Sequence, residues 1–232
     1  MQNVHLPVAT LGEAHRRLAT DGFSVLPDAG FTDGDEFDPD AVLRLAEQFG
    51  VPSSRDGGTA VWSVRPRTAD PKQTFSLRSG AALLHTDAAY RADPEPRFAL
   101  FCVRPGDDGG LTRLLRAADA VSGLDAETLA VLRRPVWRWL PPAVFGGRRD
   151  VMRPVLEAGG AIRWRPDNLD VSDAARAVAA TFTEYVEQHP KLLQFPLPAG
   201  SMLVCDNRMV LHGRTSFSDP DRHLLRVRLE AR

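Results

Sequence analysis

His85 and Asp87 stand two residues apart in the run Leu83-Leu-His-Thr-Asp-Ala-Ala-Tyr90, and imidazole and carboxylate are both transition-metal ligands. On an extended segment residues i and i+2 point to the same face, so the two groups can converge on one ion. A third ligand has to come from elsewhere. His212 offers one within Asp206-Asn-Arg-Met-Val-Leu-His-Gly-Arg214, a stretch of strand-turn-strand character. Two histidines and an aspartate form a facial triad, which leaves three positions of an octahedral metal open. That suits a non-haem Fe(II) centre holding a co-substrate and O2 together, whereas zinc favours a tetrahedral arrangement. Taken alone, His-x-Asp also fits a loop histidine beside a solvated or capping aspartate, so the case rests on its companions.

Two companions concern anions. Gly109-Gly-Leu-Thr112 puts a hydroxyl at the start of a strand, and Arg222-His-Leu-Leu-Arg226 puts two guanidinium groups four residues apart. A planar arginine fork matches a carboxylate in bidentate fashion, and a threonine hydroxyl can donate to the same oxygen pair. Singly, Thr112 reads as a strand residue and the arginines as surface charges. Beside a triad they read as an anchor for a dicarboxylate such as 2-oxoglutarate, whose 2-oxo acid end would chelate iron.

The elements that have to position these residues are mostly strands. Helices are expected over Leu11 to Thr20 and after Asp38 or Asp40, where Val42, Leu45, Ala46 and Phe49 make an apolar stripe. A helical pattern from Ala117 to Arg133 breaks near Ser122-Gly123. The longest runs from Ser172 to His189, with Ala175, Val178, Ala179, Phe182 and Val186 on one face. Strands are expected at Phe23 to Leu26, Ala60 to Val64, Arg97 to Val103, Leu111 to Leu115, Val136 to Leu140 and Val151 to Leu156. Ala161 to Arg165 is a pairing partner for the last of these. Lys191 to Phe195, Ser201 to Cys205, Met209 to His212 and His223 to Glu230 complete the set. Asp28 to Asp38 and Ser53 to Gly58 read as loops, and Arg65 to Lys72 as a proline-bearing connection placed to cover a site or simply to cross the surface. Many short strands with a few helices outside point to a mainly β double-sheet barrel or jelly roll with flanking helices.

The chain has 232 residues, 43% hydrophobic content and a formal net charge of −1. No interdomain linker or repeat is visible, so residues 1–232 read as a single domain. Near-neutral charge gives no field to attract nucleic acid, and no tract is apolar enough to span a membrane. Met1 to Ala14 lacks the order of a secretory signal, which points to the cytoplasm. Cys102 and Cys205 each lie in an apolar strand-like run and read as reduced core residues.

Together, His85-Thr-Asp87, Gly109-Gly-Leu-Thr112, Asp206-Asn-Arg208 with Leu211-His-Gly-Arg214, and Arg222-x-x-x-Arg226 resemble the taurine dioxygenase and clavaminate synthase-like family of Fe(II)/2-oxoglutarate-dependent oxygenases, from about Trp62 to the C-terminus. The resemblance implies a double-stranded β-helix. It implies His85, Asp87 and His212 as iron ligands, Thr112 and Arg222 on the distal carboxylate of 2-oxoglutarate, and Arg226 facing its C1 carboxylate or the substrate. It further implies consumption of O2 and 2-oxoglutarate, release of CO2 and succinate, and hydroxylation of an unactivated C–H bond. Asp87 fills a position that halogenases of the superfamily leave open for chloride, which favours hydroxylation. The chain is short for the family, so its substrate-covering insertions are trimmed.

The expected substrate is a small polar molecule, an amino acid or derivative of bacterial secondary metabolism, free or tethered to a carrier protein. Ser76, Arg78, Tyr90 and Trp164 to Asn168, where Asp167 has a cation to face, flank the supposed site; each fits a structural role as well. Desaturation or cyclisation would use the same iron centre. A non-catalytic metal-binding jelly roll has no need of a dicarboxylate anchor, and a zinc hydrolase leaves the arginine pair unexplained.

Overall fold

The computed structural model describes residues 10–33, 36–54, 58–67, 77–142 and 150–232. Ser76, most of the 65–72 connection, the middle of the 53–58 loop and the first nine residues lie outside these. In chain order the elements begin with α1 (Leu11–Asp21), β1 (Phe23–Leu26), β2 (Thr32–Asp33), β3 (Glu36–Phe37), α2 (Pro39–Glu47), β4 (Val51–Pro52), β5 (Val61–Val64) and β6 (Ala82–His85). They continue with β7 (Arg97–Arg104), β8 (Thr112–Arg116), α3 (Ala117–Val121), α4 (Ala126–Leu132), β9 (Arg138–Trp139), β10 (Val151–Met152) and β11 (Leu169–Asp170). Last come α5 (Asp173–Glu187), β12 (Leu193–Phe195), β13 (Met202–Asp206), β14 (Val210–Arg214) and β15 (His223–Glu230).

Two antiparallel sheets face each other, one ordered β1-β13-β7-β15-β4 with β5 also paired to β15, the other ordered β12-β8-β14-β6. Strand alternation sorts the side chains into three layers. From the larger sheet Ala99, Phe101, Val103, Met202, Val204, Leu225, Val227 and Leu229 point outward, where they pack with Ala14 and Leu18 of α1 and Val42 and Ala46 of α2. From the smaller sheet Leu84, Leu115 and Leu211 point outward onto Phe182 and Val186 of α5 and onto Trp137, Trp139 and Trp164. Between the sheets lie Phe98, Cys102, Leu114, Phe195, Leu203, Cys205, Val210 and Leu224. The expected double-stranded β-helix is therefore present, and both cysteines are buried and free, as read from the sequence.

The helices start where capping chemistry directs. Thr10 Oγ1 accepts from the Glu13 N–H and Asp38 Oδ1 from the Asp40 N–H. Two readings are corrected, and the pairing of 161–165 with 151–156 is found. The 28–38 stretch contains the paired β2 and β3. The 136–140 and 151–156 strands shrink to two residues each, because β9 pairs with β10 and β11 as a small separate sheet. The 161–165 segment meets the 151–156 stretch through one bridge, Leu156 to Ile162, and the hydrogen bond from Arg163 N to Val155 O.

Strand β6 carries an irregularity that sets the direction of its side chains. His212 stands opposite His85 while Arg214 stands opposite Ala82, so three steps on β6 match two on β14. Such a bulge re-aims side chains, and both Ala82 and His85 face the space between the sheets. Gly213 lies against it, where a Cβ would stand 2.6 Å from the Ala82 carbonyl oxygen and 3.2 Å from the Leu83 backbone. Only glycine fits there without moving β6. Gly213→Ala should therefore destabilise the fold by about 2 kcal/mol or more, a fall in Tm of roughly 4–8 °C for a chain of this length; calorimetry showing an unchanged Tm would mean that the bulge is not held by this contact.

Candidate active site

β6 delivers His85 at its last residue, and the chain then leaves the strand: Thr86 is irregular and Asp87 opens a turn over residues 87–90. The extended His-Thr-Asp geometry expected from the sequence is thus corrected. Asp87 reaches the same place from a turn, and the turn is held from three sides. Asn207, buried, accepts from the Asp87 N–H through Oδ1 at 2.7 Å and donates through Nδ2 to the carbonyls of Asp87 and Glu95, both at 3.0 Å. Thr86 N donates to Trp164 O at 2.6 Å while Trp164 N donates to Thr86 Oγ1 at 3.0 Å. Arg163 donates to the carbonyls of Ala89 and Arg91 at 2.6 Å and of Ala92 at 3.3 Å. These contacts over-determine the turn, in which Ala88 adopts φ +59°, a left-handed conformation costing roughly 1–2 kcal/mol for a residue with a Cβ.

His212, on β14, is the register partner of His85, and the two rings sit 4.3 Å apart between centroids. The Nε2 atoms of His85 and His212 each lie 3.8 Å from Asp87 Oδ1, and one ligand atom from each residue falls within 4.8 Å of the others. Among the described residues these three form the one such cluster of His, Cys, Asp and Glu groups. His85 Nδ1 lies 2.7 Å from the Leu83 carbonyl; a carbonyl only accepts, so Nδ1 carries the proton and Nε2 presents its lone pair inward. Burial first, then the neighbouring His212 and Arg165, hold the His85 imidazolium pKa well below the usual 6.5, so the ring is neutral. Burial alone would raise Asp87, but Arg226 foremost, with both histidines, outweighs it and holds the carboxyl well below its ordinary range. Two imidazoles and one carboxylate aimed at a common point fit a divalent metal.

Thr112 opens β8 opposite Arg214 of β14, and Arg222 precedes β15. Arg222 lies on Gly110, at φ +67°, where a Cβ would come within 2.5 Å of the Arg222 Nε; its Nη2 donates to the Gly110 carbonyl at 3.2 Å. Gly110 of the 109–112 motif is thus the seat of the arginine, while Gly109 lies against the Ser216 carbonyl. The guanidinium carbons of Arg222 and Arg214 stand 4.8 and 5.3 Å from the Phe217 ring centroid. Burial, and then the charge of Arg222, lowers the pKa of Arg214 from 12.5 to about 10. Two buried like charges beside a hydroxyl make an anion site.

One cavity, partly open to solvent, is lined by all six residues singled out from the sequence: His85, Asp87, Thr112, His212, Arg222 and Arg226. Arg214 joins them, and Val64, Phe98, Leu100, Leu203 and Leu224 supply its apolar wall. The cavity has a metal-ligand end and a cationic end.

Several further residues act on the site. Arg165 and Arg228 approach Asp87 along with Arg226. Glu187 of α5 accepts from the Leu84 N–H at 2.6 Å and pairs with Arg113 of β8 at 2.5 Å, tying the edge strand β6 to its sheet. Arg214 and Arg228 were findable, since each lies two residues beyond a recognised site residue on the same strand face. Asn207, Arg163, Arg165 and Glu187 come from turns, an irregular segment and a helix, where spacing carries no such signal. Tyr90 and Trp164 belong to the core, Arg78 offers its carbonyl to Arg214 at 2.5 Å, and the cation that Asp167 faces is Arg165, at 3.3 Å.

A family model described as Taurine catabolism dioxygenase TauD, TfdA family matches residues 3–228. Among curated proteins, the L-lysine 3-hydroxylase of Catenulispora acidiphila is 29% identical over 164 residues, 66% of this chain and 46% of that protein; the match thus spans less than half the length of that relative. Among solved structures, a mutant of the non-heme iron oxygenase OrfP in complex with (3S)-hydroxy-L-Arg superposes with a TM-score of 0.79 at 20% identity, covering 98% of this chain and 81% of that one. Asparagine oxygenase in complex with Fe(II), 2S,3S-3-hydroxyasparagine and succinate gives 0.76 at 21% identity, with 95% and 77% covered. These structural likenesses show a shared fold.

Asn207→Leu keeps the volume and removes all three hydrogen bonds at the metal-site turn. It should cost about 1–3 kcal/mol of stability and weaken Fe(II) binding roughly 10–100-fold, which an anaerobic Fe(II) titration would read; unaltered binding would mean that the turn holds its shape without Asn207.

Proposed function

Because the chain belongs to the TauD/TfdA family of dioxygenases, we propose that it is an Fe(II)- and 2-oxoglutarate-dependent dioxygenase hydroxylating an unactivated C–H bond of a small amino acid or amino-acid derivative. The observation that carries this reading is the convergence of His85, Asp87 and His212 at one end of a cavity whose other end holds Thr112, Arg214 and Arg222. A metal-binding scaffold without turnover has no use for the second end.

Fe(II), when bound with 2-oxoglutarate, supplies the activation of O2 that oxidises a nearby C–H bond, with release of CO2 and succinate. The protein's part is positioning. His85 and His212 would ligate through Nε2, and Asp87, kept ionised, would fill the third protein position, which favours hydroxylation over halogenation. Arg222 and Thr112, with Arg214 beside them, would fix the distal carboxylate, so that the keto acid end lies toward the metal. Arg226 lines the metal end, where it can meet the C1 carboxylate. The apolar wall between the ends excludes water from the reacting centre.

Residues 1–232 form a single oxygenase domain on this reading. The relatives' named ligands, lysine, hydroxyarginine and hydroxyasparagine, support an amino-acid-like substrate. Among the described residues no helix is long and apolar enough to cross a membrane. Two buried, unpaired thiols suit the reducing cytoplasm.

Anaerobic addition of Fe(II) and 2-oxoglutarate should produce the weak visible charge-transfer band of a metal-bound 2-oxo acid, absent in His212→Ala. No band in the wild-type protein would remove the reading. Arg222→Ala should raise the 2-oxoglutarate requirement by the equivalent of about 2–5 kcal/mol, the loss expected when one partner of a buried charge pair is removed; an unchanged requirement would take Arg222 out of this role.

A further inference from the structure

β6 ends the strand order of the smaller sheet, and among the described residues it pairs with β14 alone. His85 stands opposite His212 and Ala82 opposite Arg214, so the bulge sets Leu83 and Leu84 together against Gly213. The peptide group joining Leu83 to Leu84 thus lies within the bulge, directly before His85. Being trans and planar, it points its carbonyl one way and its N–H the other.

Side chains engage both ends of that peptide. The Leu83 carbonyl accepts from His85 Nδ1 at 2.7 Å, and the Leu84 N–H donates to Glu187 Oε1 at 2.6 Å. Glu187 is the last residue of α5, and its other oxygen, Oε2, pairs with Arg113 Nη1 at 2.5 Å. Arg113 Nη2 also donates to the Glu187 carbonyl at 3.1 Å. A carboxylate, a peptide and an imidazole therefore form one line of hydrogen bonds, at whose far end His85 Nε2 faces Asp87.

Burial alone does not call for a charge at position 187. Leu84 is fully buried, so its N–H needs an acceptor, but a neutral amide would serve. The C-terminal end of a helix disfavours a carboxylate, and the last turn of α5 holds no basic residue of its own to offset it. What the charge adds is polarisation. A carboxylate at the N–H end of a peptide draws electron density onto the carbonyl oxygen, which then pulls harder on the Nδ1 proton and makes Nε2 a stronger donor.

We infer that Glu187 is a positioning residue for the metal centre, acting through the Leu83–Leu84 peptide to fix the His85 ring and strengthen Nε2 as a ligand. The inference deepens the function proposed above and rests on it for the metal that Nε2 would meet. Arg113 holds the carboxylate in place and partly neutralises it.

The test pairs two variants with two readouts, one of which needs no metal. In the metal-free wild-type protein, nitrogen NMR should show His85 as the Nδ1–H tautomer, with that proton moved downfield by its hydrogen bond. Glu187→Gln leaves an acceptor for the Leu84 N–H and removes the charge; it should move the proton upfield and weaken Fe(II) binding about tenfold. Arg113→Gln keeps the carboxylate and removes its neutralising partner, so the proton should move further downfield and Fe(II) should bind at least as well as to the wild type. A strut between α5 and the sheet would behave otherwise, since both variants cut it. Weakened Fe(II) binding in Arg113→Gln, an Nε2–H tautomer in the wild type, or a proton and an affinity unmoved in Glu187→Gln each overturns the inference. A wild-type protein that binds no Fe(II), while its Nδ1 proton answers the two variants in opposite senses, would remove the function proposed above and uphold the line from Glu187 to His85.

Discussion

Burying a carboxylate beside two imidazoles costs several kcal/mol unless charge or hydrogen bonds replace the lost water, and much of this structure can be traced to how Asp87 meets that cost. Its backbone is fixed by Asn207, its side chain is surrounded by Arg165, Arg226 and Arg228, and its ionised form is favoured in spite of burial. Burial, with His212 and Arg165 beside it, keeps the neighbouring His85 neutral. His85 and Asp87 thus hold the protonation states that coordination of a metal would demand.

β15 shows how the fold supplies such a site without losing its core. Leu225, Val227 and Leu229 cover the helices on one face, while Arg222, Leu224, Arg226 and Arg228 lie on the other. A two-residue period therefore lets one central strand stabilise the larger sheet and carry charge to both ends of the cavity. Its partner β14 does the same with Val210, His212 and Arg214 inward and Leu211 outward. Guanidinium groups on such a face keep their charge even when burial is severe, whereas lysines would be prone to lose it.

The parts of the fold that were legible in the sequence are those that this periodicity governs. The long strands, the cap of α2 and the closeness of His85 to Asp87 rest on local patterns. The short strands did not yield to the same reasoning. Val136 to Leu140 and Val151 to Leu156 have strand composition, but their pairing ends where Trp137, Val155 and Ile162 turn into the tryptophan cluster. Asp87 was placed on extended chain because i, i+2 spacing is the simplest route to convergence. The actual route is a turn whose supports, Asn207 and Arg163, lie 120 and 74 residues away from the groups they hold, and no local pattern reports contacts of that range.

Arg163, Trp164 and Arg165 show why the braces and the chemistry are hard to separate here. Successive residues of one segment clamp the 89–92 carbonyls, bond Thr86 and reach Asp87. A change in this segment therefore bears directly on the place of Asp87, because one stretch of backbone carries all three contacts. The opposite end is built differently: Thr112 and Arg214 pair across β8 and β14, Arg214 donates to the carbonyls of Arg78 and Gly80, and Arg222 donates to that of Gly110. The two ends therefore differ in what they tolerate. The cationic end rests on strand pairing and backbone carbonyls, whereas the place of Asp87 depends on side chains brought in from Arg163, Arg165 and Asn207.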